Sequence, residues 1–225
     1  ATLSTPSFAA APGAAPDGAP GRVRSAGGLP ADGSGIRGLR GLGAGRVVLC
    51  CRPGATLASL LPLPPTALTI GPPTLGAALV PNLMLVTSPS LSVRDMDGLA
   101  RMQGEHRGVV TLAYLGGLQV PQYLFRLGSL GAYEFAGTED VLHYSRDASF
   151  LAAHLGVVLG ARAIVLAGVD FGPDDELFPE LYAIEDHYRR LRRWCETHEI
   201  QFFSLSAGLP SVPRISLEEL HRLCG

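Results

Sequence analysis

Three short stretches of the 225-residue chain carry side chains whose types and spacing suit phosphate or sugar chemistry. The first is Arg52-Pro-Gly-Ala-Thr56, which directly follows an apolar run. A glycine in a turn after a strand lets backbone N–H groups approach a phosphate. Gly54 fills that role, Arg52 can pair with the anion, and Thr56 can cap the next helix and offer a hydroxyl. With one glycine where the dinucleotide fingerprint has three, an ordinary βα turn is the competing explanation. The second stretch ends at Asp170, which closes the all-apolar run Ala163 to Val169. A carboxylate at a strand's end can hold Mg²⁺ beside substrate phosphates, or hydrogen-bond a sugar or base. Asp174, Asp175 and Glu176 read instead as a solvated acidic loop capping the helix beyond. The third is His143 with Ser145, Arg146 and Asp147, ahead of a buried helix. Its members suit acid–base or anion contacts, or simply capping beside a surface histidine.

These residues need elements to hold them in place. Ala148, Leu151, Ala152, Leu155, Val158 and Leu159 recur at helical spacing, and Gly160 supplies a left-handed stop. Ala163 to Val169 suits a strand covered on both faces of a parallel sheet. Strands are predicted over 46–51, 66–70, 83–86, 109–115 and 201–205, and Gln119 to Leu127 is open between strand and short helix. Short helices are predicted through Leu57 to Leu61 and from Ser92 to about His106, with Ser92 and Asp95 resembling a capping box. Leu177, Leu181, Ile184, Tyr188, Leu191 and Cys195 make one face of a long amphipathic helix, with Glu185–Arg189 and Asp186–Arg190 as ion pairs on the wet side. Ser216-Leu-Glu-Glu opens the last helix with a capping box. Strands alternating with helices argue for an α/β fold: a Rossmann-like, doubly wound, mostly parallel sheet in three layers. Thr87 and Ser88 at the end of the third strand, and Gly116 after the fourth, complete the candidate nucleotide-binding set with Arg52, Gly54, Thr56, Ser145 and Asp147.

Composition narrows the class. The formal charge of −2 gives no general electrostatic case for nucleic acid. Lysine is absent and all eighteen basic residues are arginine, which excludes a lysine Schiff base and a P-loop lysine. Cys50, Cys51, Cys195 and Cys224 form no C-x-x-C pair and read as small apolar residues in a reducing compartment; Cys50 and Cys51 should face opposite sides of one strand. No run approaches the roughly 20 apolar residues of a membrane span, and the N-terminus lacks a signal-peptide plan, so a cytoplasmic location is expected. Residues 1–45 contain eleven Gly, five Pro and ten Ala. Too little apolar surface is available there to offset ordering, so a disordered extension is expected ahead of a domain spanning 46–225, with a short helix at Ile36 to Leu42 feeding the first strand. His106, His154, His187, His198 and His221 have no metal-ligand spacing and read as structural or surface residues. The aromatics are core by default, with Tyr123, Phe125, Tyr133 and Phe135 also placed to form a lid or stack on a base.

The run Leu155-Gly-Val-Val-Leu-Gly-Ala-Arg-Ala-Ile-Val-Leu-Ala-Gly-Val-Asp-Phe171, behind a first strand with a glycine–Thr56–Leu57 loop, resembles a Rossmann-like family. That family includes archaeal 6-hydroxymethylpterin diphosphokinases and bacterial motility accessory factors, and is distantly similar to bacterial sialyltransferases. The resemblance covers roughly Ile36 to the C-terminus. The family's first loop reads glycine, any residue, glycine, proline, serine, leucine; here Arg52 replaces the first glycine, Ala55 the proline and Thr56 the serine. Gly71-Pro72-Pro73 stands where an asparagine is usual, and Thr87-Ser88 where an aspartate is usual. The resemblance implies transfer from a nucleotide donor. One branch passes a pyrophosphoryl group from ATP to a pterin alcohol with Mg²⁺, the metal then falling at Asp170. The other uses a nucleotide-activated sugar for surface polysaccharide or protein glycosylation. The substituted loops also fit a non-catalytic member with a degenerate donor site. Arg52, Gly54 and Thr56 are assigned to phosphate, Asp170 to metal or substrate, and His143 with Ser145 to acid–base or anion contacts.

Overall fold

The computed structural model describes residues 29, 35–75, 79–88, 91, 93–102, 107–129, 135, 139–173 and 175–225. In chain order the elements are β1 (Val47–Cys51), α1 (Ala55–Ser59), β2 (Leu68–Gly71), β3 (Leu83–Val86), α2 (Val93–Ala100), β4 (Gly108–Thr111), β5 (Gln122–Leu124), β6 (Arg126–Gly128), β7 (Val141–His143), α3 (Ala148–Val158), β8 (Ala163–Ala167), α4 (Leu181–Thr197), β9 (Gln201–Ser204) and α5 (Leu217–Cys224). Seven strands form one sheet in the order β5-β4-β3-β2-β1-β8-β9, and every pairing in it is parallel. The chain winds outward from β1 to β5, then returns to the other side of β1 with β8. This is the doubly wound α/β arrangement that the alternation of strands and helices implies.

Period-two alternation sorts β1 and β8 between two apolar layers. Val48, Cys50, Ile164 and Leu166 pack with α3 and with Ile184, Tyr188, Leu191 and Cys195 of α4. Val47, Leu49, Cys51, Ala163, Val165 and Ala167 pack with Leu57 of α1 and Leu220 of α5. Cys50 and Cys51 thus face opposite layers, both buried, and burial pushes the Cys51 thiol up to about 12. A third cluster seats Leu99 of α2 against Met84, Val86 and Val109. Helix, sheet and helix make three layers. Among the described residues no helix is long and apolar enough to cross a membrane.

Several boundaries differ from those read in the sequence. β4 ends at Thr111 rather than Leu115, because the Gln122 side chain takes over the backbone partners of the next segment: Leu115 N–H donates to Gln122 Oε1 at 2.7 Å, and Gln122 Nε2 donates to Leu115 O at 2.8 Å. Residues 118–144, which include the open stretch Gln119 to Leu127, yield three short strands: β5 in the main sheet, and β6 with β7 in a two-stranded parallel sheet. Asp186 takes both Arg190 and Arg189, while Glu185 accepts from Ser211 N–H, so the Glu185–Arg189 pair does not form. A 3-10 turn at Phe178–Glu180 precedes α4. Ile36–Leu39 form a 3-10 turn with Ile36 and Leu39 buried in the core, and Gly41 and Gly43 N–H bond Leu159 O at the end of α3. Residues 35–45 therefore pack with the α/β unit. The expectations for residues 1–28 and 30–34, and those on Ser92, His106, Tyr133 and Asp174, fall outside the described residues. Gly160 ends α3 at φ +75°, and Ser216 with Glu219 forms the capping box of α5.

Candidate functional site

In an open α/β sheet, ligands bind outside the carboxyl ends of the strands where strand order reverses. Here that point lies between β1 and β8. Arg52 N–H donates to Ala167 O at 2.8 Å, carrying the β1–β8 ladder one residue past the strand. Gly168 then turns the chain out of the sheet at φ +79°, where a Cβ would stand 2.1 Å from Arg52 O. Only glycine fits that turn. It delivers Asp170 and Phe171 over the start of the β1 loop.

Asp170 reaches directly across to that loop. Its Oδ2 accepts Thr56 N–H at 2.9 Å, and its Oδ1 accepts the Thr56 hydroxyl in a short bond. Gly54 leaves room for this contact, since a Cβ there would sit 2.8 Å from Asp170 Oδ2 and 2.7 Å from Gly168 O. Gly54, and not Thr56, is the N-cap residue of α1, so the Thr56 hydroxyl serves Asp170 instead of the helix. Arg52 lies with its guanidinium over the Phe171 ring, 4.7 Å from the centroid. Its Nη2 meets Asp175 Oδ2 at 2.7 Å, with the two side chains only 19% and 16% exposed. Asp175 Oδ1 also accepts Leu177 N–H at 2.9 Å. Asp175 is thus part of the site and not a solvated loop residue.

The start of α3 borders the same edge. Asp147 caps the helix by accepting Ser149 N–H at 3.0 Å, and takes the Tyr188 hydroxyl at 2.5 Å. Burial pushes the Asp147 carboxyl above its ordinary value, with the Tyr188 and Ser149 bonds and the Arg52 charge opposing. The Tyr188 hydroxyl is held well above its ordinary value by burial and then by Asp147. Ser145 Oγ accepts Asp147 N–H at 3.3 Å and lies 3.3 Å from His187 Nδ1. Burial lowers the His187 imidazole, which favours its neutral form.

His143 belongs to a different environment. It is 6% exposed on β7, donates its backbone N–H to His154 Nδ1 at 3.0 Å, and has its own Nδ1 3.0 Å from Ser129 O. The two imidazoles stack at 5.0 Å, and Phe135 meets each edge-on. Burial, and secondly His143, brings the His154 imidazole down to about 3, with the Phe135 backbone opposing. A histidine enclosed this way serves packing rather than proton transfer to a bound substrate. Thr87 and Ser88 follow β3, two strands from β1, or about 10 Å along the sheet edge. Gly116 lies in an exposed turn beyond β4, three strands from β1. The structure brings together Arg52, Gly54, Thr56 and Asp170, sets Asp147 and Ser145 beside them, and leaves Thr87, Ser88, Gly116 and His143 apart.

Sequence reasoning missed Asp175 and His187. Asp175 looked like one acid among several, and its pairing with Arg52 is a tertiary contact that no local spacing announces. His187 sits on an amphipathic helix where its packing against α3 leaves no pattern of its own. Among the described residues no group of three His, Cys, Asp or Glu side chains is placed to hold a metal ion. Asp170 is engaged by Thr56 and Asp175 by Arg52, so these residues do not fit a resident Mg²⁺ site. An apolar groove of about 550 Å³, lined by Leu61, Pro62, Leu63, Pro64 and Leu79, opens at the amino ends of β2 and β3 with none of the candidate residues in it. Compared with known proteins, the chain matches no family model, no curated protein and no solved structure.

Proposed function

We propose that the protein is a nucleotide-dependent transferase whose donor lies across the β1–β8 crevice, with its phosphates at Arg52 and its sugar or base toward Asp170. One observation carries this: a guanidinium, a hydroxyl and a carboxylate from loops far apart in sequence converge where the strand order of a parallel sheet reverses. Pyrophosphoryl transfer from ATP to a small alcohol and glycosyl transfer from a nucleotide-activated sugar both build negative charge on phosphate. Arg52, held beside the Phe171 ring, supplies the compensating charge in either case. The family resemblance favours the first reaction, with Mg²⁺ arriving on the donor. The engagement of both crevice carboxylates, Asp170 by Thr56 and Asp175 by Arg52, favours the second, in which arginine replaces a metal.

A non-catalytic module with a closed donor site has its own support: Asp170 and Asp175 already satisfy Thr56 and Arg52. Calorimetric titration with ATP, CMP and a CMP-sugar, each with and without Mg²⁺, separates the three. Metal-dependent ATP binding supports the diphosphokinase, and CMP binding without metal supports the glycosyltransferase. Silence toward all three removes both enzyme readings.

A further inference from the structure

The charged partners of Arg52 are all supplied by the protein itself. The guanidinium lies over Phe171, one nitrogen touches Asp175, and Nε and Nη1 have no hydrogen-bond partner among the described residues. The loop that brings Asp175 to Arg52 also brings Asp170 to Thr56. Two carboxylates of the segment between β8 and α4 therefore sit on two donors of the segment after β1. Carboxylate and phosphate oxygens are interchangeable acceptors for a guanidinium fork. Asp175 has one further tie, Leu177 N–H on Oδ1, and that bond does not depend on Oδ2 staying at Arg52.

We propose that Asp175 is the exchangeable occupant of a diphosphate seat at Arg52. This rests on the donor site proposed above. Oxygens of a diphosphate take Nη2 and the rest of the guanidinium fork, while the Asp175 carboxylate turns to solvent and keeps its bond to Leu177. No covalent step is involved. Affinity for diphosphate is then the difference between the new contact and the internal pair it replaces, so the resting crevice is held shut by its own anion. Asp147, the other carboxyl acting on Arg52, does not compete for the seat: it is buried, bonded to Tyr188 and Ser149. Phe171 limits the approach, because its ring lies 4.7 Å from the Arg52 Cζ and occupies that side of the guanidinium.

The test is equilibrium binding of inorganic pyrophosphate and ATP to the full chain, to Asp175→Asn, to Asp175→Ser and to Arg52→Ala. Asn keeps the shape and an acceptor for Leu177 N–H, and Ser checks the result with a different side chain. Both Asp175 variants should bind pyrophosphate on the order of tenfold tighter than the unsubstituted chain, as expected for removing one charged internal competitor. Arg52→Ala should lose binding. Equal binding by the unsubstituted chain and both Asp175 variants would overturn the exchange while leaving the donor site standing. Silence of every protein toward pyrophosphate and ATP would overturn the exchange, and titration with CMP and a CMP-sugar then decides separately whether the donor site stands. Unchanged binding by Arg52→Ala would place the diphosphate elsewhere and overturn both.

Discussion

The β1–β8 crevice and the histidine pair between β7 and α3 are both small polar clusters, yet they differ in how they meet water. In the crevice, Arg52 and Asp175 keep part of their surface in solvent, and their partners are charged or hydroxylic. Around His143 and His154 the aromatic neighbour is Phe135, with Phe150 and Trp194 packed against Phe135 in turn, and burial forces His154 neutral. Residue type alone leaves His143 open between acid–base or anion contacts and a surface histidine beside a cap. Topology decides between the regions, because the crevice stands at the strand-order reversal and the histidines are enclosed between β7 of the two-stranded sheet and α3. A titratable side chain becomes a functional candidate by where the fold leaves it exposed.

The contrast can be broken from either side. The largest effect is expected at the crevice turn. Gly168→Ala puts a Cβ into a left-handed residue and against Arg52 O, which should cost on the order of 3–4 kcal/mol in a urea titration. Next comes acid stability through His154. Its imidazole is lowered from an ordinary value of 6.5 to about 3, so the folded state binds fewer protons than the unfolded chain between those values. Its contribution is complete above pH 6.5 and is lost as pH falls toward 3, at about 1.4 kcal/mol per unit, reaching roughly 3 kcal/mol by pH 4. His154→Phe should flatten that slope, and an unchanged slope would show that the pair does not govern acid stability. Tyr188→Phe removes the hydroxyl from the buried Asp147 carboxyl and should cost about 1–3 kcal/mol, read by thermal or urea unfolding. Asp170→Asn should have the smallest effect on stability, about 1 kcal/mol, because one of its two bonds to Thr56 loses its acceptor. It should nevertheless weaken nucleotide binding, and unchanged affinity and turnover would remove Asp170 from the site.

The scaffold of this comparison was more legible in the sequence than the site. Apolar runs located β1 and β8, helical spacing located α3 and α4, and Asp170 was already visible as the residue closing the apolar run that holds β8, although the strand itself ends at Ala167. These are local signals of burial and period. β4 and the 118–144 region were less legible, because the Gln122 side chain ends one ladder and three short strands divide what reads as one segment. Thr56 was anticipated as a contributor, but its hydroxyl goes to Asp170 across the crevice and not to its own helix. Asp175 was least visible of all. Nothing in an acidic loop indicates which carboxylate a distant arginine will select, since folding alone brings the two together.

The central claim is the location of the donor site, and hydrogen exchange with and without saturating ATP or CMP-sugar tests it most directly. Protection should rise at the backbone amides of Arg52 to Leu57 and of Gly168 to Leu177, with little change at the groove amides of Leu61, Leu63, Ala67 and Leu79 at the opposite end of the strands. Protection confined to that proline-rich groove, with the β1 and β8 loops unaffected, would contradict it.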